Sequence, residues 1–408
     1  MTEIKKNTPK LRFPEFSEKW EKKKLGDVAT FSKGKSISKS DISENGNIEC
    51  IRYGELYTRY QEVIRLVQSR TNLNKEELVI SEENDVIIPA SGESRSDIAT
   101  ASCVLSSGIA LGGDLNIIRS RNNGIYLSYY LNNKKKNDIA NIAQGVSVVH
   151  LYSSQLKVLK ILFPSLLEQQ RIANFLTCVD KGIEKLQEKK SLLQSYKKGM
   201  MQKIFTQKIR FKDENGNNYP DWENKYLKDI SSKIINKNKD NSINNVFTNS
   251  ASRGIVNQRD YFDKDIANQN NLTNYYVVEK GDFIYNPRIS NHAPVGPISL
   301  NHIGLGIMSP LYSVFRIKSG HLRFFEIYFS TTKWHEYMSS IANYGARSDR
   351  MNITSGDFYL MPLPFPSLLE QKKIANFLTS IDNKIEKIQT QIEQSQAFKK
   401  GLLQQMFV

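Results

Sequence analysis

Ala29-Thr-Phe-Ser-Lys-Gly34-Lys35-Ser36 has the letters of a phosphate-binding loop, with alanine in place of the first glycine. Such a loop works because glycine-rich backbone N–H groups at a helix N-terminus cradle phosphate. Here the next segment, SISKSDISENGN, is polar and a poor helix, so nucleotide binding is not expected. Pro220-Asp221 with Glu223 and Lys225 has the letters of a metal-dependent nuclease. Its carboxylates are too close along the chain to come from separate strands around a metal. The five histidines, His150, His292, His302, His321 and His335, show neither an H-E-x-x-H pair nor ligand spacing. Asn286-Pro287-Arg288 lacks the second proline and the aromatic of an amino-methyltransferase loop, and no glycine-rich loop suits a nucleotide-like methyl donor. Cys50, Cys103 and Cys178 are scattered, with no C-x-x-C. That spacing argues against a disulfide framework or zinc site and fits a reducing cytoplasm. No catalytic, cofactor or metal constellation is expected in this chain.

The chemistry that remains is recognition of a polyanion. Lys and Arg number 57 against 42 Asp and Glu, giving a formal charge of +15. An excess that large points to nucleic acid. Phosphates and base edges need donors on closely approaching backbone, which favours loops rich in Arg, Ser, Asn and Gly. In the first half of the chain these are Arg52, Tyr53, Ser91, Ser94, Arg95, Gln144 and Ser147. In the second half they are Arg253, Arg288, Ser290, Asn291, His292, Arg347, Ser348 and Arg350. Arg95, Arg288 and Arg347 lead, because bidentate arginine on guanine is the commonest specific contact. The competing reading of each is an ordinary solvated loop residue.

The elements that must hold these loops are set by a repeat. FPSLLEQQRIANFL (Phe163–Leu176) recurs as FPSLLEQKKIANFL (Phe365–Leu378), offset by 202 residues (365 − 163). The same offset holds through KKGMMQKIF (Lys197–Phe205) and KKGLLQQMF (Lys399–Phe407). The chain is thus a tandem duplication. Each copy starts with a proline and a capping-box pattern, Ser165 with Glu168 and Ser367 with Glu370. Apolar residues then recur three and four apart: Ile172, Leu176, Val179, Ile183, Leu186, Leu193, Met200 and Ile204 in the first copy. The second has Ile374, Leu378, Ile381, Ile385, Ile388, Ile392, Leu402 and Met406. These are coiled-coil seams on helices of about 40 residues, roughly 60 Å long. Lys190, Lys197, Ser395 and Lys399 interrupt them. Two short, imperfect seams in one chain should satisfy each other, since each alone would leave an apolar stripe in water. Phe175 and Phe377 lie beside the seam, either packed on their own domains or presenting a docking face.

Before each domain runs a lead-in segment. Arg12-Phe13 matches Arg210-Phe211, and Trp20, Leu25 and Asp27 match Trp222, Leu227 and Asp229. Between lead-in and helix lie globular regions of mixed α/β pattern whose sequences barely match. Asp85–Pro89 and Asp282–Asn286 read as equivalent buried strands, as do Asn116–Arg119 and Ser313–Ile317. Frames that stay nearly identical around divergent domains suggest two related readers of different things. No apolar run approaches a membrane span, and MTEIKKNTPK lacks a signal-peptide core.

A doubled P-x-L-x-E-Q-x-x-I-A-x-F-L signature, each copy following a variable domain opened by W-x-x-x-x-L-x-D, resembles the specificity subunit of a type I restriction–modification system. The resemblance covers nearly the whole chain. It implies two target recognition domains, 11–162 and 209–364; residues 1–10 ahead of them are polar and read as loose. It implies helices 163–208 and 365–408 that form an antiparallel intramolecular coiled coil in a pseudo-two-fold α+β architecture. Each domain would read half of a bipartite, asymmetric site in double-stranded DNA. The subunit would have no activity alone. It would assemble with two adenine methyltransferase subunits and two ATP-dependent restriction subunits, which would hold the methyl donor, ATP and magnesium. Two other classes compete with this one: an architectural coiled-coil protein binding DNA without sequence preference, and a self-contained DNA-processing enzyme using Lys35 or Asp221.

Overall fold

The computed structural model describes residues 7–35, 37–261, 269–343 and 349–408. They fall into two compact units, Met1–Lys189 with Ile388–Val408, and Lys190–Lys387. Both are mixed α+β. The first has a five-stranded sheet in the order Ala29–Lys33, Leu115–Ser120, Val86–Pro89, Ser102–Val104, Val63–Ile64. All neighbours are antiparallel except the last pair. Val86–Pro89 is buried at every position, as expected of an apolar run covered on both faces. The second unit has a four-stranded sheet, Ser231–Lys233, Ser313–Ile317, Asp282–Tyr285, Ile298–Leu300.

The central strands of both sheets share an ion-pair pattern that links strand start to neighbouring strand. Arg119 Nε and Nη2 each donate to the Asp85 carboxylate at 2.8 Å, and Nη1 meets Glu82. Arg316 does the same with Asp282, at 2.6 and 3.1 Å, and with Glu279. Hydrogen bonding to the buried aspartate raises both guanidinium pKa values. Both arginines lie the same distance along the chain from their aspartates, so the globular parts preserve a shared frame despite their divergence.

Each lead-in segment closes its domain. Glu21–Lys24 pairs antiparallel with Lys160–Phe163, the strand that runs into the first long helix, Leu166–Phe205. Glu223–Tyr226 pairs in the same way with Pro362–Phe365, ahead of the second long helix, Leu368–Met406. The serines cap as the pattern suggests: Ser165 and Ser367 Oγ accept from the N–H of Glu168 and Glu370, both at 3.3 Å. The glutamates, however, do not complete a capping box. Glu168 accepts from Arg12 Nε (2.8 Å) and Nη2 (2.7 Å) and from Trp20 Nε1 (3.3 Å). Glu370 accepts from Arg210 Nε (3.3 Å) and Nη2 (3.0 Å) and from Trp222 Nε1 (3.0 Å). A carboxylate that is nearly fully buried must be paired, and the lead-in arginine supplies a charge-assisted partner.

The glutamine that follows ties in the domain. Gln169 Nε2 donates to Pro164 O, and its Oε1 accepts from the N–H of Asn123, the N-cap of helix Gly124–Lys134. Gln371 repeats both bonds with Pro366 O and the N–H of His321, the N-cap of helix Leu322–Phe329. Phe175 packs edge-on against Phe13 at 5.7 Å, and Phe377 against Phe211 at 5.3 Å, so both rings serve their own lead-in segments.

The long helices pack antiparallel. In the first unit Ile172, Ala173 and Leu176 share a core with Leu402, Met406 and Phe407, and Asp180 pairs with Lys399 at 2.8 Å. In the second, Ile374, Leu378 and Ile381 share a core with Ile204, and Asp382 pairs with Lys197. Two of the four interruptions in the seam are therefore cross-helix ion pairs at equivalent positions. Lys399 also reaches Glu62 at 3.1 Å; burial pulls its pKa down, but Glu62 and Asp180 outweigh this and raise it.

The glutamate clasp generates a stability prediction. Glu370→Ala leaves the Arg210 guanidinium partly buried without its main partner and removes the acceptor for Trp222. Breaking a buried pair from one side costs about 3–5 kcal/mol. Chemical denaturation should show a loss of that size, against less than about 1 kcal/mol for exposed Glu223→Ala.

Candidate nucleic-acid interface

The letters that suggest catalysis take structural places. Ala29–Lys33 is a strand, and only a short 3-10 turn, Lys39–Asp41, follows it. Gly34 lies against Gly112, where a Cβ would stand 2.0 Å from the carbonyl oxygen. Ser36 lies outside the described residues. Asp221 is fully exposed and pairs with Arg210 at 3.1 Å, while Glu223 pairs with Lys225 at 3.2 Å. Among the described residues no group of three or more His, Cys, Asp or Glu is placed to hold a metal ion. No helix among them is long and apolar enough to cross a membrane.

Each unit instead has a polar cleft, and both open at the same place in the fold. In the first, Ile48–Ile51 pairs in parallel with Ala110–Leu111. The residues that follow each strand, Arg52–Glu55 and Gly112–Asp114, line a cleft of about 740 Å³. In the second, Val246 pairs in parallel with Ile307. The residues just beyond, Thr248–Ala251 and Ser309, Leu311 and Tyr312, line a cleft of about 280 Å³.

The linings differ. The first cleft has Lys35, Lys39, Arg52, Tyr53 and Arg59 around buried Glu55. Glu55 holds Arg52 at 3.5 Å and Arg59 at 3.6 Å. Arg52 Nε is buried with no hydrogen-bond partner among the described residues, so a donor remains. Tyr57, on the same segment, has its phenol pKa raised by burial and then by Tyr53, Glu93 and Asp97. The second cleft has Ser250, Tyr261, Arg288, Ser290, Tyr312 and Arg350. The segment joining the paired strands explains part of the difference. Between the antiparallel strands Ile48–Ile51 and Ser69–Thr71 of the first unit it runs from Arg52 to Gln68; between Phe247–Ser250 and Gly254–Asn257 of the second it is the turn Ala251–Arg253.

The loops expected to face nucleic acid converge beside these clefts. Ser91–Gly92 pairs with Val149–His150, bringing Ser91 next to the hairpin that holds Gln144 and Ser147. Gly145 turns that hairpin with φ of 117°, a conformation that favours glycine. The loop is tied to the cleft through backbone bonds from Ala90 N to Asp114 O and from Leu151 N to Ala90 O. Ser94 instead caps the short helix Arg95–Ile98, accepting from Asp97 N, so its hydroxyl is engaged locally; Arg95 is exposed. In the second unit Arg288 and Arg350 are partners in an isolated antiparallel backbone bridge, and Ser290 closes a turn with Ala293 that exposes Asn291 and His292 at its tip. Arg253 lies over the Tyr261 ring at 5.6 Å. Arg347 and Ser348 lie outside the described residues. Sequence reasoning missed Lys35, Lys39, Arg59, Tyr261 and Tyr312. The lysines stand in and just after the stretch that has the letters of a phosphate loop, Arg59 lies one helical turn beyond Glu55, and Tyr261 and Tyr312 come near only through the fold.

Comparison with known proteins decides the family. The profile of the type I restriction modification DNA specificity domain matches twice, over residues 17–194 and 219–395. The chain belongs to that family. It is a specificity subunit, the non-catalytic member of a type I system. It is 31% identical over 315 residues to a putative MjaX type I restriction enzyme specificity subunit of Methanocaldococcus jannaschii, covering 72% of this chain and 70% of that one. It is 25% identical over 418 aligned positions to the MjaVIII specificity subunit of the same organism, covering 96% and 92%. Among solved structures, the type I S subunit from M. genitalium has a TM-score of 0.58 at 16% identity, over 98% of this chain and 99% of that one. A structure concerned with complex assembly and conformational transition of the type I system has a TM-score of 0.55 at 14% identity, over 94% and 96%. These two show a shared fold.

For a DNA specificity subunit, exposed lysines on the first cleft should act on phosphate. Lys39→Ala should weaken binding to all duplexes about equally and reduce the slope of log K against log salt by about one. Titrations at several salt concentrations check this. A loss confined to one sequence would make Lys39 a base reader.

Proposed function

We propose that the two domains of this specificity subunit, residues 11–162 and 209–364, each read one half of a bipartite, asymmetric site in double-stranded DNA. Helices 163–208 and 365–408 set the spacing of the half-sites and dock two adenine methyltransferase subunits; residues 1–10 only precede the first domain. Two ATP-dependent restriction subunits complete the complex. Methyl donor, ATP and magnesium are held by those partners, and the complex acts on DNA in the cytoplasm. The observation that supports this reading is the pair of clefts. They open at equivalent strand ends, in domains that carry the same glutamate and glutamine ties to their long helices, yet their linings differ in charge and size. Different linings in one frame suit two different base sequences read by one chain.

Domain exchange tests the reading. Replacing residues 11–162 by the matching domain of a relative should change one half of the methylated site and leave the other. Methylation mapping that finds both halves changed would refute independent reading.

The spacing role has its own test. Four residues inserted after Gln187 lengthen that helix by roughly 6 Å and turn it by a net of about 40°. One added base pair contributes about 3.4 Å and roughly 34°. The methylated site should therefore gain one base pair between its halves. An active variant with the original spacing would show that the helices do not set it.

A further inference from the structure

We infer that Arg288, Asp349 and Arg350 form a reader for the major-groove edge of a G·C base pair, with Asp349 as a specificity-determining acceptor. This rests on the reading of the second domain as a DNA half-site reader and assigns the chemistry of one position in that half.

The three residues are held together by backbone pairing. Arg288 and Arg350 are bridge partners, flanked by bonds from Ile289 N to Asp349 O and from Met351 N to Pro287 O, both 3.0 Å. Both arginines line the second cleft. Each points its Nε at the same oxygen, Asp349 Oδ2, at 3.7 Å from Arg288 and 3.8 Å from Arg350. These distances exceed a hydrogen bond. Elsewhere in the protein, arginines that serve the fold are bound tightly to buried aspartates: Arg119 to Asp85 at 2.8 Å and Arg316 to Asp282 at 2.6 Å. Asp282 and Asp85 are fully buried, whereas Asp349 is 53% exposed and Arg288 59%. The Arg288–Asp349–Arg350 group is therefore aligned but not committed internally.

A carboxylate is the wrong group for holding phosphate, because it repels it. Its place between two arginines on a strongly basic chain suits a base edge that offers a donor beside acceptors. Guanine presents N7 and O6 to a guanidinium fork, and cytosine of the same pair presents its N4 amino group, which Asp accepts. The more exposed Arg288 supplies the fork. Arg350, only 27% exposed, is the positioning residue that keeps the carboxylate aimed. An A·T pair gives a guanidinium fork no pair of adjacent acceptors.

The test is selection from a randomised duplex library by the full-length chain, tagged and recovered in the complex it forms in its own cells. The wild type should specify a G·C pair in one half-site. Arg288→Ala and Asp349→Asn should each relax that position by about tenfold or more, the size of one lost base contact. Asp349→Asn should also hold or raise affinity for random duplex, since it removes a negative charge, and should leave thermal unfolding unchanged because the side chain is half exposed. A half-site specified only by A·T pairs overturns the inference. So does an Asp349→Asn variant that weakens all duplexes alike with its preference intact. A wild type without any sequence preference overturns the half-site reading as well, which separates the two failures.

Discussion

A buried carboxylate at the first turn of each long helix is the constraint on which the rest depends. Glu168 and Glu370 sit almost out of solvent, where an unpaired charge would be intolerable. Each is satisfied only if the lead-in segment brings an arginine and an indole to it. The neighbouring glutamine spans the start of the helix and the N-cap of the domain's own helix. Lead-in, domain and long helix thus meet at two adjacent side chains, which accounts for the repetition of Glu-Gln in both copies. Substituting the glutamate alone would leave the indole without its acceptor and the arginine with only its contacts to the lead-in segment itself.

The long helices were legible because their information is local and periodic. Apolar spacing, proline at the start and serine at the cap need no knowledge of distant residues, and the helices run Leu166–Phe205 and Leu368–Met406 as that grammar suggests. The strands Val86–Pro89 and Leu115–Ser120, with their second-unit counterparts, were legible for the same reason. What misled was the role of the glutamates. A capping box is a local rule, and a long-range arginine overrode it. The seam lysines were likewise readable only as defects, since Asp180 and Asp382 reach them from another helix.

The recognition surface was legible in kind and not in detail. Donor-rich loops could be singled out by composition, and Arg52, Tyr53, Arg288, Ser290 and Arg350 do line the clefts. Ser94 is engaged in capping a short helix, which its place before Arg-Ser-Asp could have suggested. Asp349 offers no donor and so stands outside a selection by donor-rich composition; its meaning depends on a neighbour across a backbone bridge some sixty residues away along the chain.

The two units differ in how they are assembled from the chain. The second is continuous, Lys190–Lys387, whereas the first needs Ile388–Val408 to finish its core, with Leu402, Met406 and Phe407 packed beside Trp20 and Tyr126. During synthesis at about 5–20 residues per second, roughly two hundred residues separate the first domain's emergence from that of its last core segment. For tens of seconds the nascent first domain carries an uncovered apolar seam, while the second domain can complete itself as it leaves the ribosome. The half made first is the half finished last, and it is there that a chaperone would find its substrate.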